Sequence, residues 1–221
     1  NYGLTMAIFP STAIPSGAEA FTIDQSLRFD SASSAYLDWT AGTPTNQKIW
    51  TYSCWVKRGD DLLAHNGYPL LRAYDDDNNF SQISIQYHGA IDVGHRVSGT
   101  FTSELTTSTL LRDPAAWYHI LVKFDSTPAT PSASNFAIYI NGEIVTALST
   151  ENYPSQNEEM RINQSSKSHR IQQHQESGGS GITYGDCYMA EVHFIDGTAL
   201  TPSSFGESGD YGEWKPIEVS G

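Results

Sequence analysis

The chain has 221 residues, 38% of them hydrophobic, and carries 25 acidic against 12 basic side chains, a formal charge of −13. So acidic a surface repels phosphate backbones, and no apolar run approaches bilayer length, which excludes nucleic-acid binding and membrane insertion from the reading. With 18 glycines, 10 prolines and 12% aromatics but few leucine or alanine runs at helical spacing, the composition predicts a single all-β domain of short strands and tight turns.

Residues 1–20 stand apart. Tyr2, Leu4, Met6, Ile8 and Phe9 alternate or cluster as apolar positions before Pro10, Pro15 and Gly17 break the pattern, which predicts an extended N-terminal arm. Such an arm either packs on its own sandwich as an edge strand or reaches to a neighbouring subunit, so these five residues are the candidates for assembly contacts. The chain begins at Asn1 rather than methionine.

The domain proper is placed at 21–207. It opens with Phe21 to Phe29, with Leu27 and Phe29 on one face, followed after a serine-rich turn by Tyr36 to Trp39. Ile49 to Lys57 is the strongest central strand: Trp50, Tyr52, Cys54 and Val56 alternate with Thr51, Ser53 and Trp55, so one set faces a core and the other a partly covered surface. Further strands are read at 69–74, 80–88, 90–97, 100–105 and 117–125, separated by Asp, Asn, Gly and Ser clusters. Asn141-Gly142 between Phe136–Asn141 and Glu143–Leu148 is a two-residue hairpin signal.

Residues 163–181 are Asn, Gln, Ser, His, Lys, Arg, Glu and Gly with Ile171 as the only aliphatic, and they end in Gly178-Gly179-Ser180-Gly181. Too little apolar surface is present there for a core, so a long exposed excursion is expected. The chain returns at Cys187 to Ile195, with Tyr188, Ala190, Val192 and Phe194 facing one way and Met189, Glu191, His193 and Ile195 the other. Tyr52 and Val192 are both expected to point inward. Thr201-Pro202-Ser203-Ser204 then predicts a capped helix of one or two turns, and 208–221 is left as a C-terminal tail that can lead into a further domain.

Chemistry-bearing residues are sparse. Asp75, Asp77 and Asn79 alternate so as to aim oxygens at one hard cation, making calcium the only cofactor in view, but Phe80 and Gln86 stand where an EF-hand loop needs glycine and glutamate. An acidic hairpin turn is the other reading of that cluster. Trp39, Trp55, Tyr74, Tyr87 and Trp214 are the aromatic faces on which a sugar ring could stack, or else core residues. Cys54 and Cys187 are core thiols or a bridge. Glu191 lacks a same-face carboxylate two positions away and Asp196 has the opposite parity, so the acid and nucleophile of a glycosidase are missing. Nucleophile elbows and His-Glu-x-x-His pairs are missing as well, and His119 and His193 are read as hydrogen-bonded structural residues. The expectation is a chain without catalytic residues.

Several stretches carry a family likeness: Leu27-Arg28-Phe29-Asp30 with Tyr36-Leu37, Trp50 to Lys57, Trp117 to Val122, Tyr139-Ile140-Asn141-Gly142-Glu143, and Met189-Ala190-Glu191-Val192 with Leu200-Thr201-Pro202. In this order they resemble the concanavalin A-like jelly rolls and, within them, the laminin-G-like domains. The resemblance implies an antiparallel two-sheet β-sandwich. Laminin-G-like domains often hold calcium on a rim loop, although no residue-by-residue match carries those ligands to the Asp75 cluster. The runs Met6 to Ser11, Phe21 to Asp24, Ser26 to Phe29, Trp55 to Gly59, Phe194 to Gly197 and Trp214 to Ile217 are also similar to structural proteins of marine tailed bacteriophages. That likeness implies a virion component (fibre, tail appendage or capsid decoration) whose partners are other virion subunits or copies of itself, and which binds host-surface glycans. A calcium-assisted lectin module is the alternative, and a glycan-cleaving enzyme a lesser one.

Overall fold

A computed structural model describes residues 21–59, 67–175 and 182–219. The arm, with Tyr2, Leu4, Met6, Ile8 and Phe9, lies outside the described residues, as does the Gly178 to Gly181 run. In chain order the strands are β1 (Leu27–Phe29), β2 (Leu37–Thr40), β3 (Ile49–Arg58), β4 (Tyr68–Asp76), β5 (Asn79–Ile85) and β6 (Ala90–Val97). They continue with β7 (Thr100–Leu110), β8 (Tyr118–Asp125), β9 (Phe136–Ile140), β10 (Glu143–Ile144), β11 (Leu148–Asn152) and β12 (Ser168–Ile171). Last come β13 (Gln173–His174), β14 (Thr183–Tyr184), β15 (Cys187–Asp196), β16 (Gly206–Ser208) and β17 (Trp214–Pro216). A six-stranded sheet in the order β1-β15-β3-β8-β9-β10 and a seven-stranded sheet in the order β11-β7-β6-β5-β4-β12-β2 make an all-antiparallel β-sandwich of jelly-roll type.

Alternation on β3 places Trp50, Tyr52, Cys54 and Val56 in the core, none more than 1% exposed. Leu71, Ile83, Ile85, Ile91 and Val93 meet them from the seven-stranded sheet. Burying each such side chain is worth roughly 1.5–3 kcal/mol, which makes this interface the main source of stability. Trp50 stacks on Phe124 at 5.0 Å, and the Tyr52 hydroxyl donates to the Leu70 carbonyl at 2.9 Å, so the one polar atom on that ring is satisfied inside the core. At the β9–β10 hairpin Asn141 (φ 49°) and Gly142 (φ 84°) both take the left-handed conformation that a tight antiparallel turn requires.

Three expectations are corrected. Part of the supposed excursion at 163–181 is β12, hydrogen-bonded between β4 and β2. Its His169 side chain is buried because it is paired: it accepts from the Asn163 N–H at Nε2 and donates to the Lys167 carbonyl at Nδ1, both at 3.0 Å. Counting apolar residues misjudged a strand whose inward positions are His169 and Ile171. On β15 the register shifts between Ala190 and His193, with Glu191 at φ 47°. This bulge reverses the parity, so Cys187 and Met189 enter the core before it, Phe194 packs on the core after it, and Val192 is 40% exposed. Leu27 and Phe29 share a face, opposite Met189 and Cys187, as expected, with Phe29 buried and Leu27 49% exposed. The expected helix is a single 3-10 turn at Pro202–Ser204, and Thr201 hydrogen-bonds Ser203 instead of capping it. Beyond it, β16 and β17 fold the tail back onto the six-stranded sheet as a hairpin. Cys54 and Cys187 are both free and buried.

Candidate functional site

The outward positions of β3 and β8 are Thr51, Ser53 and Trp55, with His119 directly opposite Trp55. The C-terminal segment covers this face of the sheet. Thr51 Oγ1 donates to the Thr198 carbonyl and accepts from the Leu200 N–H, both at 2.8 Å, which fixes the chain as it leaves β15. Phe205 and Trp214 then pack against His119, the Trp214 ring stacking on it at 5.9 Å.

Trp214 is held on three sides. Its indole N–H donates to His119 Nδ1 at 3.0 Å, and its ring fills the space above Gly142 and Gly206. A Cβ on Gly142 would lie 2.5 Å from the ring and one on Gly206 2.6 Å from it, so both positions require glycine. Indole is only a donor, so Nδ1 of His119 is the unprotonated nitrogen, and the imidazole proton sits on Nε2, which donates to Ser53 Oγ at 2.8 Å. Burial, with His193 adding to it, pushes the His119 pKa down to about 4, and the ring is neutral. The chain Trp214–His119–Ser53 thus locks the orientation of Trp214. It also excludes a serine nucleophile here, since the nitrogen facing Ser53 carries a proton and cannot take another.

Between Trp214, Trp55 and Trp117 lies a cleft of about 320 Å³, completed by Ile23, Ala190 and Pro216 and edged by Asp24, Gln25 and Ser26. Trp55 is 7% exposed and forms the floor; Trp117 is 38% exposed and forms a wall. Aromatic faces of this kind accept the C–H face of a sugar ring, while the amide, hydroxyl and carboxylate at the edge can pair with its hydroxyls.

Of the five aromatics singled out in the sequence, only Trp55 and Trp214 meet. Trp39, 38% exposed, stacks on His169 at 5.2 Å beside a separate hollow with Phe194 and Asp196. The Tyr74 ring lies under the Arg72 guanidinium at 4.9 Å, and its hydroxyl donates to Asp77 at 2.6 Å. Tyr87 is 55% exposed at a shallow cleft with Gln82, Ser84 and His174. Trp117 was not among the aromatics singled out as ligand contacts, although it stands two residues before His119 at the entry to β8, and extended chain puts positions two apart on one face. Also unread was a polar chain on the outer face of the seven-stranded sheet, in which Arg72 donates to Gln82, Gln82 to Asp92 and Thr106 to Asp92. Burial raises the Asp92 pKa against these hydrogen bonds, and burial followed by the charge of Asp92 raises that of Glu104.

The Asp75 cluster is engaged otherwise. Asp75 pairs with Arg161 at 2.9 Å and Lys167 at 2.7 Å, Asp77 takes the Tyr74 hydroxyl, and the Asn79 carbonyl accepts from Arg161 and from the Ser98 N–H. A guanidinium already supplies the positive charge between Asp75 and Asn79, so this donor set does not fit a calcium ion as arranged. Among the described residues no group of three or more His, Cys, Asp or Glu side chains is placed to hold a metal. Glu191, turned outward by the bulge, faces His193 at 3.1 Å. No helix of the described residues is long and apolar enough to cross a membrane.

Among solved structures the fold is similar to the native heptameric SAP-like pentraxin from Limulus polyphemus, with TM-score 0.50 and 14% identity over 81% of this chain and 74% of that one. It is similar to domains LG4-5 of the mouse laminin α1 chain, with TM-score 0.51 and 8% identity over 84% and 42%. It is also similar to the CBM40 of Ruminococcus gnavus IT-sialidase bound to α2,3-sialyllactose, with TM-score 0.50 and 11% identity over 82% and 96%. These identities speak to the fold alone. No curated protein matches the sequence. Residues 30–202 match the family model of the concanavalin A-like lectin/glucanases superfamily, and the chain belongs to that superfamily as a laminin-G-like domain.

Proposed function

We propose that this chain is a non-catalytic glycan-binding module of a virion, displayed on a fibre, tail appendage or capsid surface and directed at host-surface polysaccharide. The observation that carries the glycan reading is the preformed cleft of Trp55, Trp117 and Trp214. The orientation of Trp214 is set by His119 before any ligand arrives, which lowers the ordering cost of binding. The virion context is supported by the likeness of the sequence to phage structural proteins and by the apolar alternation of residues 1–20, which suits an arm contacting other virion subunits or further copies of this chain. The non-catalytic reading is supported by the protonated nitrogen of His119 facing Ser53 and by the isolation of Glu191 from any other carboxylate of its strand face.

A glycan array of bacterial and algal polysaccharides, run with calcium and with chelator, tests the reading together with the Trp117→Ala variant. Binding that falls at least tenfold in Trp117→Ala and is indifferent to chelator is the expected result. No binding to any polysaccharide would defeat the glycan reading, and chelator-sensitive binding would restore the calcium-assisted alternative. For the virion role, a chain lacking residues 1–20 is expected to lose incorporation into particles or oligomers, and unchanged assembly would refute the arm's part in it.

A further inference from the structure

We propose that the tryptophan cleft takes an acidic polysaccharide, whose carboxylate- or sulfate-bearing residues are held by Lys57 and Arg28 beside the stacking rings, a reading that rests on the cleft being the glycan site. The strand registers place these cations. Trp55 pairs with His119 and Val56 with Tyr118, so one step further Lys57 stands opposite Trp117, on the same outward face as Trp55. On its other side Lys57 pairs with Tyr188, and Tyr188 pairs with Arg28. Trp117, Lys57, Tyr188 and Arg28 thus form one row across the entry to β8, β3, β15 and β1, about 14 Å from end to end. It runs beside the row of Trp55 and Ala190, which line the cleft.

Ring and cation alternate along this row, and it is open to solvent. Trp117 is 38% and Tyr188 39% exposed, Arg28 is exposed and lies over the Tyr188 ring at 5.9 Å, and Lys57 is half-buried. Among the described residues neither cation forms an ion pair with a carboxylate. Asp30, two residues beyond Arg28, accepts from the Ser33 hydroxyl and the Ala32 N–H. Asp24, the charged residue of the cleft edge, accepts from the Thr22 hydroxyl at 3.2 Å and is separated from Arg28 along the chain by Gln25, Ser26 and Leu27. An acidic glycan stacked on Trp117 therefore meets two cations with no carboxylate of their own. A guanidinium takes a carboxylate or sulfate through two parallel N–H bonds, and an ammonium takes it as a point charge. The formal charge of −13 on the whole chain opposes a polyanion. At physiological salt, however, the Debye length is about 8 Å, so more distant carboxylates are screened while Lys57 and Arg28 act at contact. Each exposed pair of this kind contributes up to about fivefold in affinity, and the two together on the order of tenfold.

The test uses the full chain and polysaccharides matched but for the anion, glucan against glucuronan, mannan against polymannuronate and dextran against dextran sulfate, by calorimetry at low and high salt. The expected result is binding of an acidic polymer about tenfold tighter than of its neutral counterpart, with the gap narrowing in high salt; the pair that shows it, uronate or sulfate, names the anion. Lys57→Gln and Arg28→Gln are each expected to weaken acidic binding about three- to fivefold, and both together about tenfold, while the neutral polymer stays within about twofold. Trp117→Ala is expected to weaken both polymers. Neutral polymers bound as tightly as acidic ones, with binding lost in Trp117→Ala, would overturn the acidic selectivity and leave the glycan site standing. Acidic binding that survives Trp117→Ala unchanged would be adsorption to charge alone and would overturn the joint site. Absence of binding to every polymer would overturn both readings.

Discussion

Acidification probes the lock on Trp214 directly. His119 has its pKa pushed from an ordinary 6.5 to about 4 by burial and by His193, and its Nδ1 can accept the Trp214 N–H only while unprotonated. As pH falls, the unfolded chain takes up the proton near 6.5 while the folded chain resists until about 4. The stability contributed by neutral His119 is thus fully present above pH 6.5 and lost between 6.5 and about 4. At about 1.4 kcal/mol per pH unit the whole window amounts to about 3 kcal/mol. Burial also depresses His95, His169 and His174, so the effect is isolated by difference. Urea unfolding followed by circular dichroism from pH 7.5 to 3.5 on the wild type and on His119→Gln is expected to show the wild-type advantage shrinking by about 3 kcal/mol across the window, with tryptophan fluorescence shifting as Trp214 is released. A constant difference between the two proteins, or an NMR titration placing His119 near 6.5, would refute the tautomer argument and with it the preformed cleft.

Three further outcomes follow from the same geometry. Gly142→Ala adds a Cβ 2.5 Å from the Trp214 ring at a residue with φ +84°, so a loss of about 1–3 kcal/mol and weaker glycan binding are expected; a variant as stable as the wild type with intact binding contradicts the clamp. Asp196, buried enough to favour its neutral form, is held ionised by the N–H groups of Thr45 and Asn46 and the Asn163 amide, and Asp196→Ala is expected to cost about 2 kcal/mol at pH 7. That increment should be lost in the wild type only as pH falls below the ordinary aspartate range, since the depressed carboxyl stays charged until then; chemical denaturation over pH checks both. Burial pushes the Cys54 thiol up to about 12 and raises Cys187 as well, so both should resist a thiol reagent at pH 8 in the native protein and react on unfolding, and prompt native labelling would show the core to be open.

Alternation along β3 made its core set Trp50, Tyr52, Cys54 and Val56 legible from the sequence, because a strand sends successive side chains to opposite faces whatever lies around it. Asn141-Gly142 likewise declared its hairpin, since two consecutive left-handed residues are tolerated by few dipeptides. The reading failed where a partner distant in sequence changed the local rule. One inserted residue in β15 reversed the parity and exposed Val192, and hydrogen bonds from the Asn163 N–H and to the Lys167 carbonyl made a buried strand residue of His169. The cleft was invisible for the same reason. Trp55, Trp117 and Trp214 lie far apart along the chain, and only strand pairing between β3 and β8, with the return of β17 over Gly142, sets their rings around one space. Local pattern determines which face a side chain takes, but which faces meet is decided by long-range pairing and by the hydrogen bonds that make a polar interior affordable.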